Sequence, residues 1–141
     1  EKNEDKILNI AANSRSSSIL NMLPLHLKHS PHTKYIGQEK ISVSTLDSIF
    51  NKYVKSEEKI YLKIDVQGYE RKVIEGALNS LDRILGIQME LSLLPLYQGE
   101  TLLTEMIDFM KKKGFSLVSL EPGFATIDGK LLQTDAIFFK K

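Results

Sequence analysis

The stretch Tyr61-Leu-Lys-Ile-Asp-Val-Gln-Gly-Tyr-Glu70 decides the fold. Ile60, Leu62, Ile64 and Val66 alternate with Tyr61, Lys63 and Asp65, which is the period of a strand. Gln67-Gly68 breaks that pattern. From Tyr69 onward Val73, Ile74, Ala77, Leu78 and Leu81 fall at helical spacing, which predicts a helix over 69–80. Strand, glycine turn and helix form the first half of a βαβ unit, and the parallel partner strand is expected at 84–91. Asp65 falls at the carboxyl end of the first strand, where open α/β sheets place ligands and chemistry. An acidic residue there can equally cap the helix that follows. Glu90 falls at the carboxyl end of the second strand, so the two carboxylates would be neighbours roughly 5 Å apart. Such a pair suits a general base or a metal, or it is two unconnected caps.

Downstream, Ser92 to Glu100 reads as a loop over the same rim, with Tyr97 in reach of a substrate, and is a candidate lid. A helix over 101–113 buries Leu102, Leu103, Met106, Ile107 and Met110. Lys111 to Lys113 complement its dipole, and Gly114 stops it. Strands follow at 115–120 and 135–139, joined across Asp128-Gly129 without a helix, so they should run antiparallel. Upstream, Glu1 to Lys6 reads as a frayed terminus. Short strands are expected at 7–10 and 40–43, with a polar Asn/Ser loop over 11–18 whose hydroxyls either cap local backbone or meet a ligand. Ser44 to Asp47 fits a helix start for a helix carrying Leu46, Ile49, Phe50 and Tyr53.

His26, His29 and His32 invite a metal reading, but Pro31 breaks any single helix that would present all three. The run also lacks the Cys or carboxylate needed to complete a coordination shell, so no metal is assigned. His26 is instead taken as a substrate-pocket residue. Lys63 is expected to pair with a rim carboxylate or to snorkel, and Glu70 to serve the helix start with a secondary chance of touching substrate.

The 141 residues suit one domain: a pre-signature part over 1–56 and a βαβαββ core over 57–141. A net charge of +1 does not point to nucleic acid, and no apolar run is long enough to span a bilayer. Zero cysteines exclude disulfides and thiolate chemistry and suit the cytoplasm.

The run Leu62 to Glu70, followed by Val73-Ile-Glu-Gly-Ala77, resembles the signature of the FkbM family of S-adenosylmethionine-dependent methyltransferases. Asn9 to Asn13, Ser16 to Leu20 and Thr45-Leu-Asp47 resemble the segments before that signature, and Glu90, Leu96-Tyr97 and Gly114-Phe115 fit beyond it. The likeness covers the family's C-terminal half. It implies a Rossmann-like, class I methyltransferase-type α/β sheet, mostly parallel, with an antiparallel C-terminal hairpin and without the first strands. It implies O-methylation of a sugar or other small hydroxylated metabolite. Asp65 and Glu90 would be the catalytic pair, and Lys63, Glu70, His26 and Tyr97 would line the substrate.

The sequence holds no G-x-G, the backbone turn an adenosyl group needs. The chain also begins without Met, so it reads as a fragment, and it is expected to bind S-adenosylmethionine weakly by itself. Without the first strands the strand carrying Asp65 would expose an edge, to be covered by the short N-terminal strands or by a second copy in a homodimer. The alternative function is a non-catalytic module acting through such oligomerisation. A metal-dependent hydrolase is a weaker third reading, for want of a second His or Asp cluster.

Overall fold

The computed structural model describes residues 4–141. Two sheets carry the fold. Strand β1 (Glu4–Ala11) pairs antiparallel with β2 (Tyr35–Val43) as a separate two-stranded sheet. The other sheet has β3 (Ile60–Ile64), β4 (Ile84–Ser92), β5 (Phe115–Pro122) and β6 (Gln133–Lys140) in the order β3-β4-β6-β5. Helices α1 (Pro24–His29), α2 (Leu46–Tyr53), α3 (Glu70–Glu75) and α4 (Leu103–Lys112) complete it.

The expected βαβ unit is present: β3 and β4 pair in parallel, with Ile64 beside Met89. The antiparallel ending is present too, with a difference in pairing. β6 inserts between β4 and β5, so three strands share a direction while two of the three pairings are antiparallel. The sheet is therefore mixed. A parallel pairing needs a crossover connection, and the turn through Gly129 instead returns β6 beside β5.

One face of the sheet is covered. Ile64, Ile87, Met89, Leu91, Ala136 and Phe138 pack against Phe50 of α2, Ile74 of α3, and Met106 and Met110 of α4. Each such Leu, Ile, Met or Phe side chain, once fully buried, contributes about 1.5–3 kcal/mol. The opposite face carries Tyr61 and Phe139, 49% and 44% exposed, whose rings lie 6.1 Å apart. They meet over Gly86, where a Cβ would fall 2.7 Å from the Tyr61 ring.

Several boundaries move. The terminus expected to fray is strand from Glu4, because Glu4 to Lys6 find partners in Val43 to Ile41; Glu1 to Asn3 lie outside the described residues. Both N-terminal strands are longer than expected and pair with each other rather than covering the edge of β3. Helix α3 ends at Glu75, with Gly76 at its C-cap, and the chain turns on to a 3-10 turn at Leu81–Arg83. Asp47 explains this early stop. Its carboxylate accepts from the N–H and Oγ of Ser80 (2.9 and 2.6 Å) and from the N–H and Nδ2 of Asn79 (both 3.1 Å). The cap of α2 is Thr45, not Ser44, and it accepts from the Ser48 N–H.

Asp47 thus fastens α2 to the turn after α3 across 32 residues of chain. The Asp47→Ala substitution is expected to lower stability by about 1–3 kcal/mol, read as a fall in urea midpoint. No change in midpoint would show that water replaces these bonds at no cost.

Candidate functional site

The turn between β3 and α3 is built around two residues with positive φ, Gln67 (54°) and Gly68 (94°). A non-glycine residue in that region is uncommon and costs about 1–3 kcal/mol. Gly68 must be glycine: a Cβ there would stand 3.0 Å from the Tyr97 Cβ and 3.1 Å from Leu20. Gln67 is 9% exposed and bonded at every polar group of its side chain. Its Nε2 donates to Asp65 Oδ1 (2.9 Å) and Glu90 Oε2 (2.8 Å). Its Oε1 accepts the Tyr97 hydroxyl (2.6 Å), and its carbonyl accepts the Ser18 hydroxyl (2.6 Å).

So the structure does bring Asp65 and Glu90 together at the carboxyl rim of adjacent parallel strands. The Gln67 amide stands between them, and nothing in the sequence reading singled it out. Burial raises the Glu90 carboxyl above its ordinary value, and the Gln67 amide opposes that rise.

Of the remaining candidates, His26 reaches the site. It lines a cavity of about 270 Å³ together with Asp65, Gln67, Glu90 and Arg15. Its ring is 3% exposed, between Tyr97 (centroids 5.2 Å) and Phe124 (5.4 Å), and its Nδ1 has no hydrogen-bond partner among the described residues. Burial lowers its pKa to about 4, so the imidazole is neutral at pH 7. His32 contacts the Ser30 hydroxyl instead, and no cluster of three His, Asp or Glu suited to a metal occurs among the described residues.

Tyr97 is fully buried and lines neither cavity; its hydroxyl positions Gln67. Lys63 is exposed and makes no ion pair among the described residues, although its charge favours the Glu90 anion. Glu70 faces the backbone, accepting from the N–H groups of Gly68 (3.2 Å) and Val66 (3.4 Å). The Ser92 to Glu100 loop is not a lid: Leu96 and Tyr97 are fully buried. Glu100 clamps it by accepting from Ser92 Oγ (2.7 Å) and the N–H groups of Leu96 and Tyr97 (2.9 Å for Tyr97). The serine loop mostly caps its own backbone, with Ser18 the exception.

A second, larger cavity of about 710 Å³ lies between the hairpin, α2 and α3, with walls that include Leu8, Ile41, Val43, Leu46, Ile49 and Val73. Asp65 lines both cavities.

Carboxylates at strand ends, a neutral buried imidazole and two cavities sharing one acid thus stand together in an α/β domain. The sequence profile of the family described as Methyltransferase FkbM domain matches residues 2–117, and the chain belongs to that family. No curated protein and no solved structure is similar enough to match it. Among the described residues no helix is long and apolar enough to cross a membrane.

Burial lifts the Glu70 carboxyl from 4.5 to about 7, against its two backbone donors. The folded state then holds this proton more tightly than the unfolded chain. Its contribution to stability is therefore full below pH 4.5, falls as pH rises from 4.5 to 7, and is lost above. At 1.36 kcal/mol per pH unit the loss is about 3 kcal/mol. Glu70→Gln keeps an acceptor oxygen for the turn and should flatten this part of the stability–pH curve, measured by urea unfolding from pH 5 to 8. A variant with the parent slope would show that Glu70 does not cause it.

Proposed function

We propose that the domain transfers a methyl group from S-adenosylmethionine to an oxygen of a small hydroxylated acceptor such as a sugar. The observation that carries this reading is the Gln67-held pair Asp65 and Glu90, with Asp65 on the boundary of two cavities. The sulfonium supplies the methyl group. The protein must align the acceptor oxygen and remove its proton. In the smaller cavity Asp65 takes that proton and Glu90 holds a neighbouring hydroxyl. Gln67 fixes both carboxylates by spending its amide hydrogens on them.

The larger cavity has the volume of a small-molecule site. Gly76 is the one glycine in its lining, and no G-x-G turn is present. These residues do not by themselves form a backbone cradle for an adenosyl group, so the chain's own contribution is the acceptor side. A cysteine-free chain fits the cytoplasm, where we place it.

A second reading, a non-catalytic module that self-associates, is favoured by one observation. β3 ends the sheet with β4 as its sole strand partner among the described residues, leaving a row of backbone groups without strand partners. Two copies pairing edge to edge would satisfy both rows.

Two measurements test these readings. Incubation with methyl-labelled S-adenosylmethionine in large excess, to offset the missing adenosyl cradle, and a panel of hydroxylated acceptors should label an acceptor oxygen. Asp65→Asn should lower kcat/KM by about 10²–10⁴-fold. No transfer to any hydroxyl, or an Asp65→Asn variant of unchanged rate, overturns the first reading. Light scattering at micromolar concentration should give twice 16.0 kDa if the edge pairs; a stable monomer rules the dimer out.

A further inference from the structure

The larger cavity holds apolar side chains that the fold does not use. Leu8, Ile19, Ile41, Val43 and Ile49 line it and belong to neither hydrophobic core of the described residues. Leu8 and Ile41 share one face of the hairpin, Ile49 comes from α2, and none of the five is fully buried. Apolar surface left to water in this way is unfavourable, and a contiguous patch of it marks a binding site. The polar groups around this wall are mostly spent. Lys6 pairs with Glu4 (2.9 Å) and Lys72 with Glu75 (2.8 Å). Ser17 and Ser18 donate to the carbonyls of Ser14 (2.7 Å) and Gln67 (2.6 Å). Asp65 is the exception: it is exposed, and Gln67 holds only its Oδ1.

Asp65 is also where the two cavities meet. Ser16 and Gln67 line the smaller one, while their neighbours Ser17, Ser18 and Val66 line the larger. The cavities therefore stand back to back across segments 16–18 and 65–67. The smaller one mixes donors with acceptors, as hydroxyl groups require. The Arg15 guanidinium and the second amide hydrogens of Asn13 and Gln133 stand there beside the carboxylates of Asp65 and Glu90.

We propose that the acceptor is an amphiphile, an alkyl or aryl glycoside, with its hydroxylated head at Asp65 and Glu90 and its apolar body along the larger cavity. This rests on the reading of Asp65 as the base that meets the acceptor oxygen. Each methylene buried against the wall adds about fourfold to affinity. The charges beside the wall are already paired, so the body that fits is uncharged.

The test is binding to the full chain without cofactor, by NMR shift titration at pH 7. The probes are methyl glucoside, octyl glucoside and octanoate, all below micelle-forming concentration. Octyl glucoside, with seven more methylenes, should bind at least about 100-fold more tightly than methyl glucoside. Octanoate, whose carboxylate Asp65 repels, should bind at least about tenfold more weakly than octyl glucoside. Ile49→Glu on α2 and, separately, Ile41→Glu on β2 should each cut the octyl-to-methyl ratio at least about tenfold. The two positions lie on different elements, so one still reports if the other disturbs folding. Ile127→Glu, at a fully exposed position lining neither cavity, should leave the ratio in place. Equal affinities of the two glucosides, octanoate as tight as octyl glucoside, wall variants no more damaging than Ile127→Glu, or no binding of any probe overturns the proposal. So does a doubled mass by light scattering with no gain from the octyl chain, which would mean that a second copy covers the wall. Binding that grows with chain length, without methyl transfer to octyl glucoside, would instead sink the transferase reading and leave the site standing.

Discussion

The structure turns on one side chain. Gln67 sits in a left-handed backbone conformation that a glutamine adopts at a cost of about 1–3 kcal/mol. Four hydrogen bonds offset that cost: two from its amide to carboxylates, one to its side-chain oxygen and one to its carbonyl. Each bond recruits a different part of the chain. Ser18 is itself bound to Asn9 of β1 through paired backbone bonds of 2.8 and 3.1 Å, so the hairpin is tied to the site through two residues. Tyr97 brings the loop after β4, and Asp65 and Glu90 bring the ends of the two parallel strands. Loss of any one bond leaves a buried polar group unpaired beside the others.

Around this hub, two carboxylates organise backbone rather than chemistry. Glu70 faces the N–H groups of the turn that presents Gln67, and Glu100 faces those of the loop that presents Tyr97. The first is almost fully buried and holds its proton to near neutrality. The rim carboxylates face a cavity instead. Two acids brace the site from behind while two others line it.

Much of this was legible in the sequence. The alternation of 60–66 and the break at Gln67-Gly68 located Asp65, and the carboxyl end of the strand expected at 84–91 located Glu90. Periodicity and strand ends suffice for such residues because position along an element sets which rim they reach. Gln67 was not legible: amides are common in turns, and only its positive φ marks it. The lid reading of 92–100 failed because polar and turn-forming residues there gave no sign of the Glu100 carboxylate that gathers the loop inward. Lys63 looked anomalous only while its strand was taken as central; at a sheet edge a lysine is ordinary. His26 was found for the right residue type, but its orphaned nitrogen depends on the rings of Tyr97 and Phe124, which lie far from it in sequence.

The tie between Asp65 and Glu90 depends on a nitrogen. Exchange of the Gln67 amide for the isosteric carboxylate of glutamate would keep the shape and lose both donated hydrogens. Three acids would then converge where one amide now separates two, and their repulsion would be relieved only by a shared proton or a hard cation such as Mg²⁺ or Ca²⁺. An amide-bridged pair and a cation-binding triad thus stand one functional group apart on the same backbone.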